Sequence, residues 1–328
     1  MPIRAEGFHD WLSAHTHVAD GKYTWTLLTY LRLKDAGFPC KLVTHFPRAG
    51  IVVSHRDFLP VFLAPRRNVF LVCIKADRNP HPWADYHVVQ NPYDALMQPG
   101  APSRHAVDLP HWPQPNLIVR DPARATVCTN VAYFGRRLNL APEFLEDNWS
   151  ATLRTHGFQW NLRPRNQWHD YSQVDVTLSV RDWRLDHSRL DPVLRADSKP
   201  PSKLVNSWLA GVPALAGPES AFRAMRRTTL DYIEVQSESE ALDALIRLRA
   251  NPSLYRDMVA NGLERSVAFS TESLIAQWCE FFDSTLTESL ASWQKRAAAR
   301  RFARQLGSII RYFSKPLHLK SLLTAIRT

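Results

Sequence analysis

Lys203, Asn206 and Ser207 fall close together in KPPSKLVNSWLAGVP, residues 199–213. A lysine and two hydrogen-bonding side chains in the first turns of a helix suit an anion, because free backbone N–H groups and the helix dipole already attract negative charge there. Pro200 and Pro201 suit entry into a new helix, with Ser202 as the expected N-cap. Leu204, Val205, Trp208 and Leu209 supply its buried side, and Gly211 ends it. Val212 to Ala216 then read as a buried strand, and Gly217-Pro218-Glu219-Ser220 opens a second helix. Two helix starts flanking one strand suit phosphate and hydroxyl groups. The same stretch equally suits a plain strand–helix–strand unit whose lysines are solvated.

Three arginines stand at comparable places. Arg136 and Arg137 follow Gly135 after the apolar VAYF, and Arg181 ends VDVTLSVR. A guanidinium at a strand's carboxyl end is well matched to phosphate, though each is also an ordinary surface arginine in composition. His55 closes GIVVSH with Arg56 and Asp57 beside it. It reads as a general base for a hydroxyl, or as a strand-end histidine satisfied by backbone. The 13 histidines include pairs such as His15 and His17, His81 and His87, and His105 and His111, none at a zinc spacing and none joined by cysteine. No metal is expected.

These residues need a scaffold, and the pattern supplies one. The helical stretch YTWTLLTYLRLKDAG, entered at Asp20-Gly21-Lys22, closes on Gly37. CKLVTHF, GIVVSH, NVFLVCIKA and YHVVQNP follow as short runs rich in Val, Ile and Leu, the signature of buried parallel strands. A proline-dense stretch over 92–125 reads as irregular crossing. A second series then begins at VAYF, with a helix expected over 142–157, QWNLR and VDVTLSVR as strands, DYIEV as another, and helices to the end. Two α/β series predict two Rossmann-like domains facing each other across a cleft, with ligands at the carboxyl ends of strands. The expected boundaries are 1–125, 126–282 and a tail, 283–328.

The pattern P-x-K-L-x-N-x-W-L-A-G-V-P resembles the donor-binding segment of GT-B glycosyltransferases, where P-x-K-[IL]-x-E-x-x-A-x-G-x-P is common. DGKYTWTLLTYLRLKDAGFPCKLV is similar to that fold's opening loop, helix and strand, and SESEALDALIRLRANPSLYRDMVANGLERSVAF to its closing helices. The resemblance covers most of residues 18 to 282. It implies a metal-independent glycosyltransferase of hexosyltransferase type, with a nucleotide sugar as co-substrate and no other cofactor. It also implies a donor domain over 126–282, in which Arg136, Arg137, Arg181 and Lys203 face the diphosphate, Asn206 the ribose, and Glu219 and Ser220 the sugar or ribose. The first domain takes a glycan or lipid-linked acceptor, with Asp20 and Gly21 at its opening loop and His55 as base. The chain departs from the family at the two glutamates spaced E-x7-E, where Ser198 and Asn206 stand. Two rivals follow from that: a sugar-nucleotide epimerase on the same fold, and a catalytically silent binding or assembly protein.

At 328 residues, with 45% apolar residues, 11 Trp and 15 Phe, the chain can build two cores. No stretch reads as a membrane span or signal peptide, and four scattered cysteines read as reduced thiols, so a cytoplasmic place is expected. The formal charge of +10 resides almost entirely in residues 291–328, which carry nine Lys or Arg and no acid. Phe302, Leu306, Ile309, Ile310 and Phe313 recur there at helical spacing opposite Arg300, Arg301, Arg304 and Arg311. Such a basic amphipathic helix suits an anionic surface on the inner membrane face, or packs back on the first domain or a partner. No nucleic-acid motif accompanies the charge.

Overall fold

The structure is a computed structural model, and it describes residues 21–60, 68–99, 101, 105–181 and 196–295, with Ala303, Leu306, Gly307 and Ile310. The fold class is α/β: the chain builds two parallel sheets, each in its own compact unit. The first-sheet unit holds the described residues of 25–109, 190–199 and 275–328, and the second-sheet unit those of 1–24, 110–189 and 200–274.

The opening helix α1 runs through Gly21–Tyr23, a π-helical stretch at Thr24–Leu28, and Thr29–Asp35. Trp25, Leu28 and Leu31 recur every third residue and are all buried, the stripe an amphipathic helix needs. At its end the Gly37 and Phe38 N–H groups donate to Lys34 and Leu33 carbonyls at 3.0 and 2.9 Å. The sheet follows as β1 (Gly50–His55), β2 (Val69–Ile74), β3 (Tyr86–Val89) and β4 (Ala106–Asp108), in that spatial order and all parallel. Every residue of β2 and β3 is buried, which explains their continuous apolar runs.

Two expectations fail here. CKLVTHF forms no strand, and Lys41 to His45 lie exposed. Strand propensity is local, whereas a strand exists only where a neighbour pairs with it. Conversely, β4 sits inside the proline-dense stretch read as irregular. Its three residues are too few for a periodic signal, and pairing with β3 makes them a strand.

The second sheet has the order β6-β5-β7-β8-β9, again all parallel. Its strands are β5 (Asn130–Phe134), β6 (Gln159–Arg163), β7 (Val176–Ser179), β8 (Ala214–Ala216) and β9 (Ile233–Glu234). The helix expected over 142–157 is a 3-10 turn at Pro142–Leu145, a break at Glu146, and α2 (Asp147–Thr155). Between β7 and β8 lies α3 (Ser202–Leu209), and α4 (Ser220–Met225) follows β8. Two longer helices complete the unit, α5 (Glu238–Ala250), capped by the Ser237 side chain, and α6 (Pro252–Ser266), capped by Asn251. The core runs continuously from Val131, Tyr133 and Phe144 through Val176 and Leu178 to Leu245, Leu248 and Met258.

The closing helices revise the expected boundaries. The second domain was to run through 282, but the chain joins the first-sheet unit from Ile275. There α7 (Thr271–Glu280) passes through a π-helical stretch, Phe281–Leu286, into α8 (Thr287–Lys295). Trp278 meets Trp25 edge-on at 6.4 Å, Phe281 lies 5.5 Å from Tyr86, Phe282 lies 4.9 Å from Phe38, and Trp293 lies 5.7 Å from Phe70. These aromatic pairs decide membership, since large rings dominate packing energy. Of the expected tail, the part through Lys295 therefore packs on the first sheet. Leu306 and Ile310 are helical and exposed, whereas Phe302, Ile309 and Phe313 and the four arginines opposite them lie outside the described residues. No helix among the described residues is long and apolar enough to cross a membrane.

Candidate functional site

In the second sheet β5 has β6 on one side and β7 on the other. The winding direction reverses between β5 and β7, and in open parallel sheets a crevice forms at the carboxyl ends of such a pair. Gly135-Arg136-Arg137 leaves β5, Val180-Arg181 leaves β7, and Gly217-Pro218-Glu219 leaves β8. Three separated pieces of sequence thus share one edge.

Gly135 is a position closed to side chains. A Cβ there would lie 2.5 Å from Tyr133 Oη and 3.0 Å from Lys203 Cε, so the backbone stays bare beside the lysine stem. The Tyr133 hydroxyl donates to the Arg136 carbonyl at 3.0 Å and holds the turn. Burial pushes the Tyr133 phenol well above its usual range; nearby Arg181 pulls it down and Glu219 pushes it up. The hydroxyl is therefore a fixed donor at neutral pH. Lys203 Nζ lies 5.7 Å from the centroid of the Tyr133 ring, a cation–π distance. Arg136 and Arg137 are exposed, and neither guanidinium has a partner among the described residues. Leu138 between them and Asn139 is 86% exposed.

Arg181 is engaged. Its Nε donates to Glu219 Oε2 at 3.0 Å, and its Nη1 donates to Asn139 Oδ1 at 3.3 Å. Both partners of the ion pair are largely shielded, at 14% and 9% side-chain exposure. Glu219 stands immediately before α4 without capping it through its side chain, and Ser220 is the first helical residue. The structure thus brings Arg181, Glu219, Tyr133, Gly135 and Lys203 together, with the unpaired Arg136 and Arg137 on the adjoining turn. Pattern reading had missed Gly135, Tyr133 and Asn139. The glycine directly before two arginines was the one usable signal.

The placement of α3 is firm. Trp208 Nε1 donates to the Asp231 carbonyl at 2.8 Å, and Gly262 of α6 comes so close that a Cβ would lie 2.9 Å from Trp208 Cδ1. Ser207 is buried, with its Oγ 2.7 Å from Thr177 Oγ1 and donating to the Lys203 carbonyl at 2.8 Å. It therefore ties α3 to β7. Asn206 Oδ1 accepts the Gln114 N–H at 3.0 Å, holding the crossing segment. The expected N-cap is corrected: Pro201 occupies that position without a side-chain bond, and Ser202 lies inside the first turn. Proline's fixed φ lets it start a helix without a cap.

In the first sheet, His55 ends β1 and is 3% exposed. Its Nδ1 accepts the Asp57 N–H at 3.1 Å and so caps the 3-10 turn Arg56–Phe58. With Nδ1 accepting, the neutral ring carries its proton on Nε2. Gly21 opens α1 in helical rather than loop geometry and is exposed. Asp20 lies outside the described residues. Among the described residues, no three His, Cys, Asp or Glu side chains are grouped to hold a metal ion.

No protein-family model matches the chain, and neither does any curated protein. Solved structures similar to it include sucrose-phosphate synthase from Thermosynechococcus elongatus, at 14% identity, covering 88% of this chain and 81% of that one, with a TM-score of 0.49. HepE from Anabaena, in complex with UDP and glucose, is 12% identical over 62% of this chain and 64% of its own, with a TM-score of 0.42. A variant of S. aureus TarM, in a complex that includes UDP, is 12% identical over 66% of this chain and 51% of its own, with a TM-score of 0.44. At these identities and TM-scores the likeness says nothing of what this chain itself binds.

Proposed function

We propose that this chain is a glycosyltransferase of the GT-B kind. It binds a nucleotide-sugar donor at the carboxyl edge of the second sheet and transfers the sugar, a hexose, to a glycan or lipid-linked acceptor. The observation that carries this reading is the Gly135 turn. Backbone that no side chain can cover lies beside Lys203, and two exposed guanidiniums have no protein partner among the described residues. Three cations around bare backbone suit a diphosphate. Arg181, neutralised by Glu219, contributes less charge than its position suggested. Its work is to hold the Glu219 carboxylate, which is left to meet hydroxyls of the sugar or ribose through its other oxygen.

In the transfer step, Arg136, Arg137 and Lys203 stabilise the negative charge that grows on the leaving nucleoside diphosphate as its bond to the sugar breaks. These cations take the part that a metal ion plays elsewhere, so turnover should persist in chelator. Calorimetry with UDP as the probe tests the site. Arg136→Ala combined with Arg137→Ala is expected to weaken binding about tenfold or more, which is about 1.4 kcal/mol. Lys203→Ala should do the same. Stability should move by less than about 0.5 kcal/mol for the exposed arginines. Unchanged affinity in both variants would remove the diphosphate from this edge.

A second reading, a catalytically silent binding protein, has its own support. Ser198 and Asn206 stand where the resembled pattern has two glutamates, and both make internal hydrogen bonds: Ser198 Oγ accepts from Lys75, and Asn206 Oδ1 from Gln114. Tight UDP binding without release of sugar from any donor in a panel of nucleotide sugars would favour it.

A further inference from the structure

The carboxyl edge of the second sheet extends beyond the diphosphate site. β6 flanks β5 on the side away from β7, and Phe134 of β5 stands opposite Arg163 of β6. Paired strands lie about 4.8 Å apart, so the turns that leave these two, over 135–139 and 164–170, are neighbours at one edge. Pro164 enters a 3-10 turn, Arg165–Gln167. Trp168 Nε1 donates to the Arg163 carbonyl at 3.0 Å, and Arg163 Nη2 donates to the Asp170 carbonyl at 3.0 Å. These two bonds cross the β6 turn and fix its shape.

Arg165 stands on this turn, exposed and with no hydrogen bond or ion pair among the described residues. Asn166 and Gln167 beside it are exposed amides, which bring N–H donors without negative charge. The carboxylates of Asp170 and Glu219 at this edge are spent on other arginines. Asp170 Oδ2 lies 3.6 Å from Arg163 Nη2, and Glu219 Oε2 lies 3.0 Å from Arg181 Nε. Arg136, Arg137 and Arg165 thus set three guanidiniums on two adjoining turns, with no protein partner among the described residues. A surface lined by one sign of charge concentrates anions, and the guanidinium fork fits a phosphate through two parallel hydrogen bonds. The donor's diphosphate already has the bare backbone at Gly135, Lys203 and the two arginines of the β5 turn. Arg165 lies one strand further along the edge and is left for another oxyanion.

Resting on the glycosyltransfer reading, we infer that the β6 turn is a second anion subsite. There Arg165, with Asn166 and Gln167, holds a phosphate ester separate from the donor's diphosphate. Two sources share that chemistry: a phosphate on a second substrate, or a further phosphate on the nucleotide itself. Arg163, tied to Asp170, keeps the turn in shape and is a positioning residue.

Calorimetry on the full chain tests this, with the diphosphate site first saturated by UDP. Glycerol 3-phosphate titrated into that complex is expected to bind, and Arg165→Ala to weaken it about tenfold or more. UDP affinity itself should change less than about twofold in Arg165→Ala. Arg256→Ala removes the same charge from the exposed face of α6 and should leave glycerol 3-phosphate binding unaltered. UDP bearing a 3′-phosphate provides the other arm. If it binds more tightly than UDP to the wild-type chain but not to Arg165→Ala, the phosphate belongs to the nucleotide. An Arg165-dependent gain in neither arm overturns the subsite. So does an equal loss in Arg256→Ala, which would mean net charge alone, or a loss of UDP affinity in Arg165→Ala as large as in the Arg136→Ala, Arg137→Ala variant, which would merge Arg165 with the diphosphate site. Failure of the wild-type chain to bind UDP would sink the glycosyltransfer reading alone. The subsite is then read from glycerol 3-phosphate binding in the Arg136→Ala, Arg137→Ala background, where loss on adding Arg165→Ala supports it and no binding overturns it.

Discussion

The two parallel sheets place their most deeply buried ion pairs at opposite ends. In the first, the buried pair Lys75–Asp94 and its partner Ser198 sit at the carboxyl edge, where ligands of such sheets bind. In the second, the Arg181–Glu219 pair is shielded at the carboxyl edge, but the most deeply buried pairing lies at the amino edge. Asp175, just before β7, receives Arg120, Arg124 and the N–H groups of Thr129 and Asn130. The carboxyl edge there keeps Arg136 and Arg137 unpaired among the described residues. A sheet that anchors its loops at one end can leave the other end polar and open. The difference teaches which edge is structural and which is available for a ligand.

The comparison breaks most visibly where buried charge is orphaned. Lys75→Met leaves Asp94 without its cation, and Asp175→Ala leaves Arg120 without its carboxylate; each should cost about 3–5 kcal/mol, read by urea denaturation. The double variant Lys75→Met with Asp94→Leu should recover most of the loss, because an apolar pair avoids the desolvation penalty. Losses below about 1 kcal/mol would mean that these pairs are not buried anchors. At the open edge, Gly135→Ala forces a methyl against Tyr133 Oη and should cost about 1–3 kcal/mol, together with weaker UDP binding. Combined with Tyr133→Phe, which removes the oxygen it meets, it should cost less. Equal penalties in both backgrounds would show that the close approach is not the cause.

The smallest effect is a pH slope within the first sheet. Burial depresses His81 to about 4 and His87 to about 3, while the unfolded chain titrates near ~6.5. Below ~6.5 the unfolded state takes protons that the folded state refuses. Stability then falls by about 1.4 kcal/mol per pH unit for each histidine. Asp108 works the other way: held near 6 when folded, it binds a proton that the unfolded chain takes only near ~3.9, so it offsets one histidine between those values. A net fall of about 1.4 kcal/mol per unit is expected between ~pH 6 and ~pH 4. Asp108→Asn should steepen it. Denaturation curves that are flat across this range, or unaltered by Asp108→Asn, would place the proton balance elsewhere.

Most elements were readable because they are locally written. Pro200-Pro201, the apolar spacing of Leu204, Val205 and Trp208, and Gly211 mark α3 by periodicity and punctuation. The runs VFLVCI and NVAYF mark buried strands by composition. Elements that depend on a partner were not readable: β4 exists because β3 pairs with it, and CKLVTHF stays unpaired despite its composition. At the candidate site the cations were visible in advance, but their state was not. Nothing near Arg181 in sequence reveals that Glu219 neutralises it, because the two are 38 residues apart.

The sequence by itself determined the α/β class, the helix that starts after Pro200-Pro201, and the clustering of basic residues near strand ends. Hydrophobic period and turn chemistry act within a few residues and leave a local record. Tertiary structure alone decided three things. The closing helices belong with the first sheet, through Trp278, Phe281 and Phe282. Gly135 must remain glycine, because Tyr133 folds back beneath it. Among the described residues, Asp108 is left without a donor while Asp94 takes the lysine. Burial and ion pairing are set by which distant groups meet, and a one-dimensional pattern carries no record of those meetings.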